Sequence, residues 1–391
     1  MVRVPTSLMV LMALGAMTFA ETRVTRPVAL GVHGRPNATP SMAAAGRFVA
    51  VAWTASMDRA ADVFVAVSRD AGRTFGAPVR VNDRPGDALS SAEQAPRVSV
   101  TPVAGKDPMV TVVWATHLES SAILIARSRD GGRTFENAGR VSPPGAAGHR
   151  GWPAATNDSH GRSHVVWLDH GNGSWLEYRS SPPAPENANP PARLAEGVCY
   201  CCKTTIAARG DGSIFAAWRH VYPDNIRDIA FVASRDSGRT FDKPLRVSHD
   251  EWQINGCPDD GPAMAVDRKG AIHLAWPTVV TAPSERKAVF YSVSRDGRTF
   301  SPRLELPNLG SGSASHPSIA AGNDGRIAIV WDERRDIGLV EMRDGRFSRP
   351  TPVDASSDGT YPVAAYTSDG LVVAWTAKEA GKSTIALRVM E

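Results

Sequence analysis

Cysteine is scarce in this sequence, neither sign of charge is in large excess, and long hydrophobic runs are missing. The 391 residues include four cysteines, and 44 Lys and Arg stand against 40 Asp and Glu. So few cysteines exclude a disulfide-dense scaffold, and charges without basic blocks argue against a nucleic-acid partner. No run reaches the roughly 18 apolar residues of a membrane-spanning helix. Because 42% of the residues are hydrophobic, we expect a globular protein and not a disordered one.

The N-terminus has the features of a signal peptide. Arg3 supplies positive charge, Leu8 to Met17 form an apolar run, and Thr18-Phe19-Ala20 resembles a small-x-small cleavage site. We therefore predict a signal peptide over residues 1–20 and a mature chain over 21–391 that forms one domain. The protein is expected to be exported, to the periplasm or outside the cell, and to have no membrane span.

A short polar motif recurs along the chain, each time after an alternating apolar strand. The copies are Ser68-Arg69-Asp70-Ala71-Gly72-Arg73-Thr74-Phe75, Ser128 to Phe135, Ser234 to Phe241, the shorter Ser294 to Phe300, and a remnant at Arg343 to Phe347. In such a turn the Asp is expected to accept hydrogen bonds from backbone amides, Gly permits positive φ, and the hydroxyls satisfy other backbone groups. The aromatic residue is expected to fill the gap between two sheets.

A second repeated feature is an apolar strand that ends in tryptophan, downstream of a Pro and a short strand of small residues. Its copies are Trp53, Trp114, Trp167, Trp218, Trp276, Trp331 and Trp375. Their mean spacing is about 54 residues, which suits a four-stranded blade of a β-propeller. The repeat therefore predicts an all-β fold of seven blades.

With these motifs the chain resembles the sialidase-like β-propellers built from BNR (Asp-box) repeats, over essentially the whole mature chain. In that family the boxes lie on the turn between the third and fourth strands, away from the ligand face, so they indicate fold and not activity. Family sialidases have six blades, which is the alternative to the seven counted here. The last repeat lacks a fourth strand, and Val24 to Leu30 is expected to complete it and close the ring.

All four cysteines and most histidines map to loops on the face opposite the Asp boxes. A metal site is predicted there from residues that precede successive innermost strands: Cys199, Cys201, Cys202, Cys257 and His316. Thiolate and imidazole ligands favour Cu(I), with Zn(II) as the alternative. Two other interpretations stay open, namely a disulfide from Cys199 or Cys201 to Cys257 that staples adjacent blades, and thiol redox chemistry.

The same face carries candidate ligand-binding side chains. They are Trp152, Arg150, Arg219, His220, Arg334 and Tyr361. The family resemblance implies an exo-α-sialidase with three arginines that clamp a carboxylate, a Tyr nucleophile activated by Glu, and an acid/base Asp. The repeats, however, open with Thr39-Pro40 and Ala95-Pro96-Arg97 instead of the Arg-Ile-Pro or Arg-Leu-Pro of that family. The catalytic residues are therefore unknown at this stage.

These observations favour a ligand- or metal-binding protein whose partner is a small molecule, a glycan or a metal donor. Two alternatives are a sialidase-type glycoside hydrolase and a non-catalytic interaction platform with disulfide-stapled loops. We expect the chain to be a monomer.

Overall fold

Seven antiparallel sheets surround a common axis. The computed structural model describes residues 27–390 apart from 59, 92, 117–120, 145–147, 172, 182–190, 282–283, 311 and 355–357. The first strands of neighbouring sheets contact each other all the way round the ring. The prediction of an all-β, seven-bladed propeller is thereby confirmed. Within the described residues, helix is limited to one 3-10 turn, Pro223–Asn225, and no helix is long and apolar enough to cross a membrane.

Within each blade the strands are arranged from the axis outward in chain order. A short strand, β1 Val28–Leu30, precedes the first blade. The first blade contains β2 Asn37–Ala45, β3 Phe48–Met57, β4 Ala60–Ser68 and β5 Val79–Arg80. The second contains β6 Arg97–Thr101, β7 Met109–Thr116, β8 Ala122–Ser128 and β9 Gly139–Arg140. The third contains β10 His149–Asn157, β11 Ser163–Gly171, β12 Gly173–Ser181 and β13 Ala192–Glu196.

The remaining blades continue the same order. The fourth contains β14 Thr205–Ala208, β15 Ile214–Arg219, β16 Ile229–Ser234 and β17 Leu245–Arg246. The fifth contains β18 Ala263–Val266, β19 Ile272–Val280, β20 Arg286–Ser294 and β21 Leu304–Glu305. The sixth contains β22 Ala314–Ala321, β23 Ile327–Glu333, β24 Asp336–Arg343, β25 Arg346–Phe347 and β26 Thr351–Pro352. The seventh contains β27 Asp358–Tyr366, β28 Leu371–Glu379 and β29 Lys382–Met390.

The N-terminal strand completes the seventh blade. The strand β1 pairs antiparallel with β29, with Leu30 opposite Ile385. This pairing confirms the expected closure, since the last repeat supplies only three strands of its own. Residues 24–26 of the predicted closing segment, like the predicted signal peptide, lie outside the described residues.

The hydrophobic core is divided into clusters that lie between adjacent blades. Val63 and Val65 of the first blade, for example, pack with Val112 and Trp114 of the second. The seven repeated tryptophans all stand on the second strand of a blade and are at most 1% exposed. Each blade therefore buries its faces against both neighbours, which explains why the tryptophan recurs once per repeat.

The Asp boxes connect the third and fourth strands, as the family resemblance implied. In the second blade Asp130 accepts hydrogen bonds from Ser128 Oγ (2.7 Å) and from the N–H of Thr134 (3.0 Å). Gly132 adopts a φ of 84° and donates its N–H to Ser128 Oγ. Phe135 packs against the core between the first two blades. The same contacts recur in the other three copies.

The remnant in the sixth blade folds differently. Asp344 and Gly345 both have positive φ and make a two-residue turn that joins β24 directly to β25. The next segment, β26, then pairs with β24 in the position that a fourth strand occupies in the other blades. Without the Ser and Thr of a full box, this sequence forms a tight hairpin turn.

Candidate functional site

A bulge recurs in the innermost strands of four blades. In β2, β10, β22 and β27, two residues oppose the tryptophan of the neighbouring strand, and the second of the two is proline. The first residues of these pairs have positive φ although none is glycine: Thr39, Trp152, His316 and Tyr361. A bulge accepts proline because the ladder does not need its N–H there, and the bulge turns the neighbouring side chain in a new direction.

The backbone N–H of each bulged residue is bonded by a side chain of the preceding blade. The pairs are Thr39 to Thr376 Oγ1 (2.9 Å), Trp152 to Gln94 Oε1 (3.2 Å), His316 to Asp260 Oδ1 (2.9 Å) and Tyr361 to Asp332 Oδ2 (2.8 Å). Neighbouring blades therefore hold these unusual backbone conformations in place. Three of the bulged residues, Thr39, His316 and Tyr361, line one small cavity of about 30 Å³ at the axis, which we call the axial funnel.

The side chain of Glu93 lies in this funnel and reaches across the axis to other blades. It precedes the innermost strand of the second blade, yet its Oε2 accepts the N–H groups of Lys203 (3.0 Å) and Gly261 (2.9 Å) from the fourth and fifth blades. Its Oε1 forms an ion pair with Lys203 Nζ at 3.0 Å, and only 1% of the Glu93 side chain is exposed. Lys203 Nζ also donates to the carbonyl of Pro317 in the sixth blade. One carboxylate thus connects loops from three blades.

His316 stands next to this carboxylate. Its Nδ1 lies 2.8 Å from Asp332 Oδ2, and its ring centroid is 4.3 Å from that of Tyr361. Burial disfavours the imidazolium, but the nearby charges of Asp260 and Asp332 outweigh burial and raise the pKa of His316 to about 9. Burial, followed by the charges of Asp259 and Glu93, raises the pKa of the Tyr361 phenol. At neutral pH the site therefore presents a cationic imidazole beside a neutral phenol.

We call Glu93, Lys203, Asp260, His316, Asp332 and Tyr361 the axial cluster. Glu93, Asp260 and His316 offer ligand atoms within 4.8 Å of one another, a spacing that a metal ion could use. Two ammonium groups already neutralise these acids, however, because Lys203 pairs with Glu93 and Lys287 Nζ lies 3.2 Å from Asp260 Oδ2. A metal would also require His316 to lose its proton. The donor set therefore fits an organic ligand better than a metal ion.

The cysteines form a second group beside the axial cluster. Cys201 and Cys257 are joined by a disulfide with a Cα–Cα distance of 6.1 Å, which agrees with the alternative interpretation of a staple between the loops of adjacent blades and selects Cys201 over Cys199. Cys199 and Cys202 are free and buried, and their Sγ atoms are 3.4 Å apart. Trp152 packs against this group.

The disulfide changes the predicted metal-ligand set. While Cys201 and Cys257 are bonded to each other, neither offers a free thiolate. His316 belongs to the axial cluster, and the sulfur atoms of Cys199, Cys201 and Cys202 form a separate group. Binding of copper or zinc by these residues stays a prediction.

The candidate ligand-binding residues have three kinds of environment. Trp152 and Tyr361 occupy axial bulges. Arg150 and Arg219 are buried, and Arg150 Nε pairs with Asp169 at 2.7 Å. Arg219 donates to three backbone carbonyls, those of Asp260, Arg227 and Pro277. These two arginines are therefore engaged in supporting the loops.

The other two candidates stand outside the axial cluster. His220 accepts a hydrogen bond from Trp218 Nε1 at 3.3 Å, and burial lowers its pKa. Arg334 is exposed in the turn between β23 and β24, with a φ of 60°. Neither His220 nor Arg334 is placed to form a carboxylate clamp together with Arg150 and Arg219.

Sequence reasoning did not select four members of the axial cluster. Glu93, Lys203 and Asp260 lie in loops and Asp332 lies near the end of β23, so that the four residues come from four different blades. The repeated X-Pro dipeptide at the start of the innermost strands was the available signal, since it marks where each chain segment reaches the axis. Pairings over separations of 110 and 168 residues, as between Glu93 and the amides of Lys203 and Gly261, have no local signature.

Several solved structures share this architecture at low sequence identity. An ulvan lyase, described as a polysaccharide lyase, superimposes with a TM-score of 0.59 at 12% identity, covering 95% of this chain and 94% of its own. A lectin from Burkholderia pseudomallei gives 0.61 at 12% identity, covering 90% and 96%. An α-L-arabinanase from Penicillium chrysogenum, complexed with arabinobiose, gives 0.54 at 11% identity, covering 95% and 99%. At these identities the likeness concerns the fold.

Comparison of the sequence itself gives one family. A search of curated proteins finds no match. The family model described as BNR repeat-like domain matches residues 46–329, which is well over half of the chain. Together with the Asp boxes and the seven blades, this match confirms the predicted resemblance, and the chain belongs to the BNR repeat-like domain family.

Proposed function

We propose that the protein binds a glycan across the mouth of the axial funnel, on the face opposite the Asp boxes. The observation that carries this proposal is the set of bulged residues that reach the axis with positive φ. A non-glycine residue in this conformation costs about 1–3 kcal/mol, and such strain concentrates at functional sites. The stability of the fold alone does not explain why four equivalent positions of the ring all adopt this costly conformation. Three of these residues line the same funnel.

The chemistry of the funnel suits a saccharide that carries acidic groups. The carboxylates of Glu93, Asp260 and Asp332 already accept hydrogen bonds or ion pairs from the protein. The groups left for a ligand are therefore mainly donors and ring faces, above all the His316 imidazolium and the Tyr361 phenol. Cationic donors bind carboxylate or sulfate groups, and aromatic rings offer an apolar surface with a polar tip.

The comparisons support this choice of ligand class without identifying a particular glycan. Structural neighbours include a lectin, an arabinanase complexed with arabinobiose, and an ulvan lyase solved bound to -[GlcA(1-4)Rha3S]-. The last of these ligands combines a uronate with a sulfated sugar, which is the kind of acidic saccharide that the funnel chemistry favours. Export to the periplasm or beyond the cell, predicted from the N-terminal sequence, is part of the proposal.

Cleavage of the bound glycan is a second candidate, favoured by the contact between His316 and Tyr361. Two polar groups that can exchange protons stand side by side there, and Asp332 orients the imidazole. Both groups are protonated at neutral pH, and either can serve as a general acid that donates a proton to the leaving sugar oxygen. Sialidase-type hydrolysis is less favoured, because Arg150 and Arg219 are used to hold backbone carbonyls or Asp169.

Binding is tested by calorimetric titration of the purified protein with uronate-containing, sulfated and neutral polysaccharides. Tyr361→Phe should weaken binding of an acidic glycan about 5- to 10-fold, the loss of one hydrogen bond of roughly 1 kcal/mol. Tyr366→Phe is the matched control, because Tyr366 lies at the other end of the same strand, where its hydroxyl donates to Glu341. Equal effects of the two variants, or no binding of any polysaccharide, would contradict the proposal.

Cleavage is measured on the same polysaccharides by formation of new reducing ends and of unsaturated uronates. Unsaturated uronates indicate a lyase, and reducing ends without them indicate a hydrolase. Binding without either product indicates a lectin-like protein.

A further inference from the structure

The four cysteines combine a nucleophile, a resolving thiol and a disulfide, and three of the four are buried together. Cys199 Sγ lies 3.4 Å from Cys202 Sγ and 3.7 Å from Cys201 Sγ, which is itself bonded to Cys257. The free thiol of Cys199 is thus within contact distance of both possible exchange partners. No role in glycan binding requires this arrangement.

We propose that these cysteines form a thiol–disulfide relay, in which the buried Cys199/Cys202 dithiol exchanges with the Cys201–Cys257 disulfide. In the first step the Cys199 thiolate attacks Cys201 Sγ, so that a Cys199–Cys201 bond forms and Cys257 leaves as a thiolate. In the second step the Cys202 thiol gives its proton to the released Cys257 thiolate and attacks Cys199 Sγ, so that Cys201 leaves. One disulfide is broken and one is formed, and two thiols remain throughout, so that no outside oxidant is needed.

The surroundings of Cys199 favour its role as the nucleophile. The charges of Arg227 and Arg219 act on the Cys199 sulfur, and cationic surroundings favour the thiolate that attacks a disulfide. Arg227 is one of the two charges that act on Cys199. Its Nε atom is buried and has no hydrogen-bond partner among the described residues, so this cationic group keeps a free donor. The resolving thiol follows the attacking thiol at a C-x-x-C spacing, and the Cys202 N–H donates to the Cys199 carbonyl (3.4 Å).

Access from outside is through Cys257. Cys199, Cys201 and Cys202 are at most 6% exposed, whereas Cys257 is exposed in the loop before β18. A small thiol or the dithiol of another protein can therefore reach only the outer sulfur of the disulfide directly. The relay connects that outer sulfur with the buried pair.

The cysteines of the relay are also close in sequence to residues of the axial cluster. Cys202 is followed directly by Lys203, whose N–H and Nζ hold Glu93. Cys257 precedes Asp260 by three residues in the loop that the disulfide fixes. Exchange therefore releases the connection between the two loops that supply Lys203 and Asp260 to the axial cluster, and the partner we expect is a low-molecular-weight thiol or a C-x-x-C protein.

The test begins with thiol counting and disulfide mapping of the full-length wild-type protein, purified without reductant and trapped with acid and then a maleimide. The relay requires two thiols per chain and two single-disulfide species, Cys201–Cys257 and Cys199–Cys202. It also requires that Cys257 become labelled at neutral pH without added reductant. A count other than two, a single fixed pairing, or stoichiometric copper or zinc on the cysteines overturns the relay.

Variants separate the steps. Cys199→Ser removes the nucleophile, and labelling of Cys257 should fall about tenfold or more, because exchange depends on the attacking thiolate. Cys202→Ser should stop the process at the Cys199–Cys201 species. If Cys257 in Cys199→Ser is labelled as fast as in the wild type, the relay is wrong. Should a variant not fold, the wild-type mapping alone still decides, and the result is independent of whether a glycan binds.

Discussion

The charge on one residue, His316, depends on carboxylates from two blades. Asp332 accepts from its ring, and Asp260 lies beside it while accepting its backbone N–H. Both carboxylates are buried, and their attraction for the imidazolium exceeds the effect of burial. A histidine whose pKa is raised on folding stabilises the folded state in its protonated form.

The consequence is a pH-dependent stability. The pKa of His316 is about 9 in the folded protein against 6.5 as its ordinary value. Its contribution should therefore be complete below about pH 6.5, decline between there and pH 9, and be absent above, amounting to about 3 kcal/mol at 1.36 kcal/mol per unit. His316→Gln should lower the unfolding free energy most at low pH. Urea unfolding from about pH 6 to about pH 10 measures this.

The matched control for this experiment is His249→Gln, since His249 is exposed in the loop before β18. Because the His249 side chain is exposed, its replacement should change the unfolding free energy little. A constant difference between His316→Gln and wild type over the whole range would show that His316 is not held as a cation.

Among the elements, the Asp box is the best-defined turn. Asp130 accepts from two hydroxyls, those of Ser128 and Thr134, and from the amides of Arg133 and Thr134. These bonds lower the pKa of the carboxyl well below its usual range. They take the place of the strand pairing that the turn interrupts. They therefore fix the segment that leads into the outermost strand.

Asp130→Ala should therefore destabilise the second blade by about 1–2 kcal/mol, since several turn donors lose one acceptor and most regain water. Thermal melts are the measurement. The control is Asp107→Ala, which removes the same charge from exposed ion pairs with Arg133 and Arg69 and should have little effect. Because the box lies opposite the funnel, glycan affinity should be unchanged in both variants, and a loss of affinity would contradict the division between faces.

The ring and the funnel differ in how far the sequence predicts them. Each repeat carries its own tryptophan and most carry an Asp box. The fold, the number of blades and the closure of the ring can therefore be predicted from short local motifs. Trp152, Tyr361 and His316 could be assigned to the axial face for the same reason. The partners of Glu93 could not, because Lys203 and Gly261 come near it only when the second, fourth and fifth blades meet at the axis. Cys199, Cys201 and Cys202 could be grouped from the sequence, but which of them pairs with Cys257 depends on loop geometry.

At the scale of the whole molecule, closure of the ring depends on the short strand β1. It pairs with β29 over three residues, and Leu30 is 7% exposed in the core between the seventh and first blades. Removing β1 would leave β29 as an unpaired edge and expose that core, which costs about 3 kcal/mol for a buried leucine. A chain that begins at Gly31 should thus melt at a lower temperature than one that begins at Pro27, which keeps β1. Calorimetry of the two chains measures the difference, and dynamic light scattering should show association of the shorter one through its open edge. Equal melting temperatures would mean that the ring holds through the contacts between β27 and β2 without the closing strand.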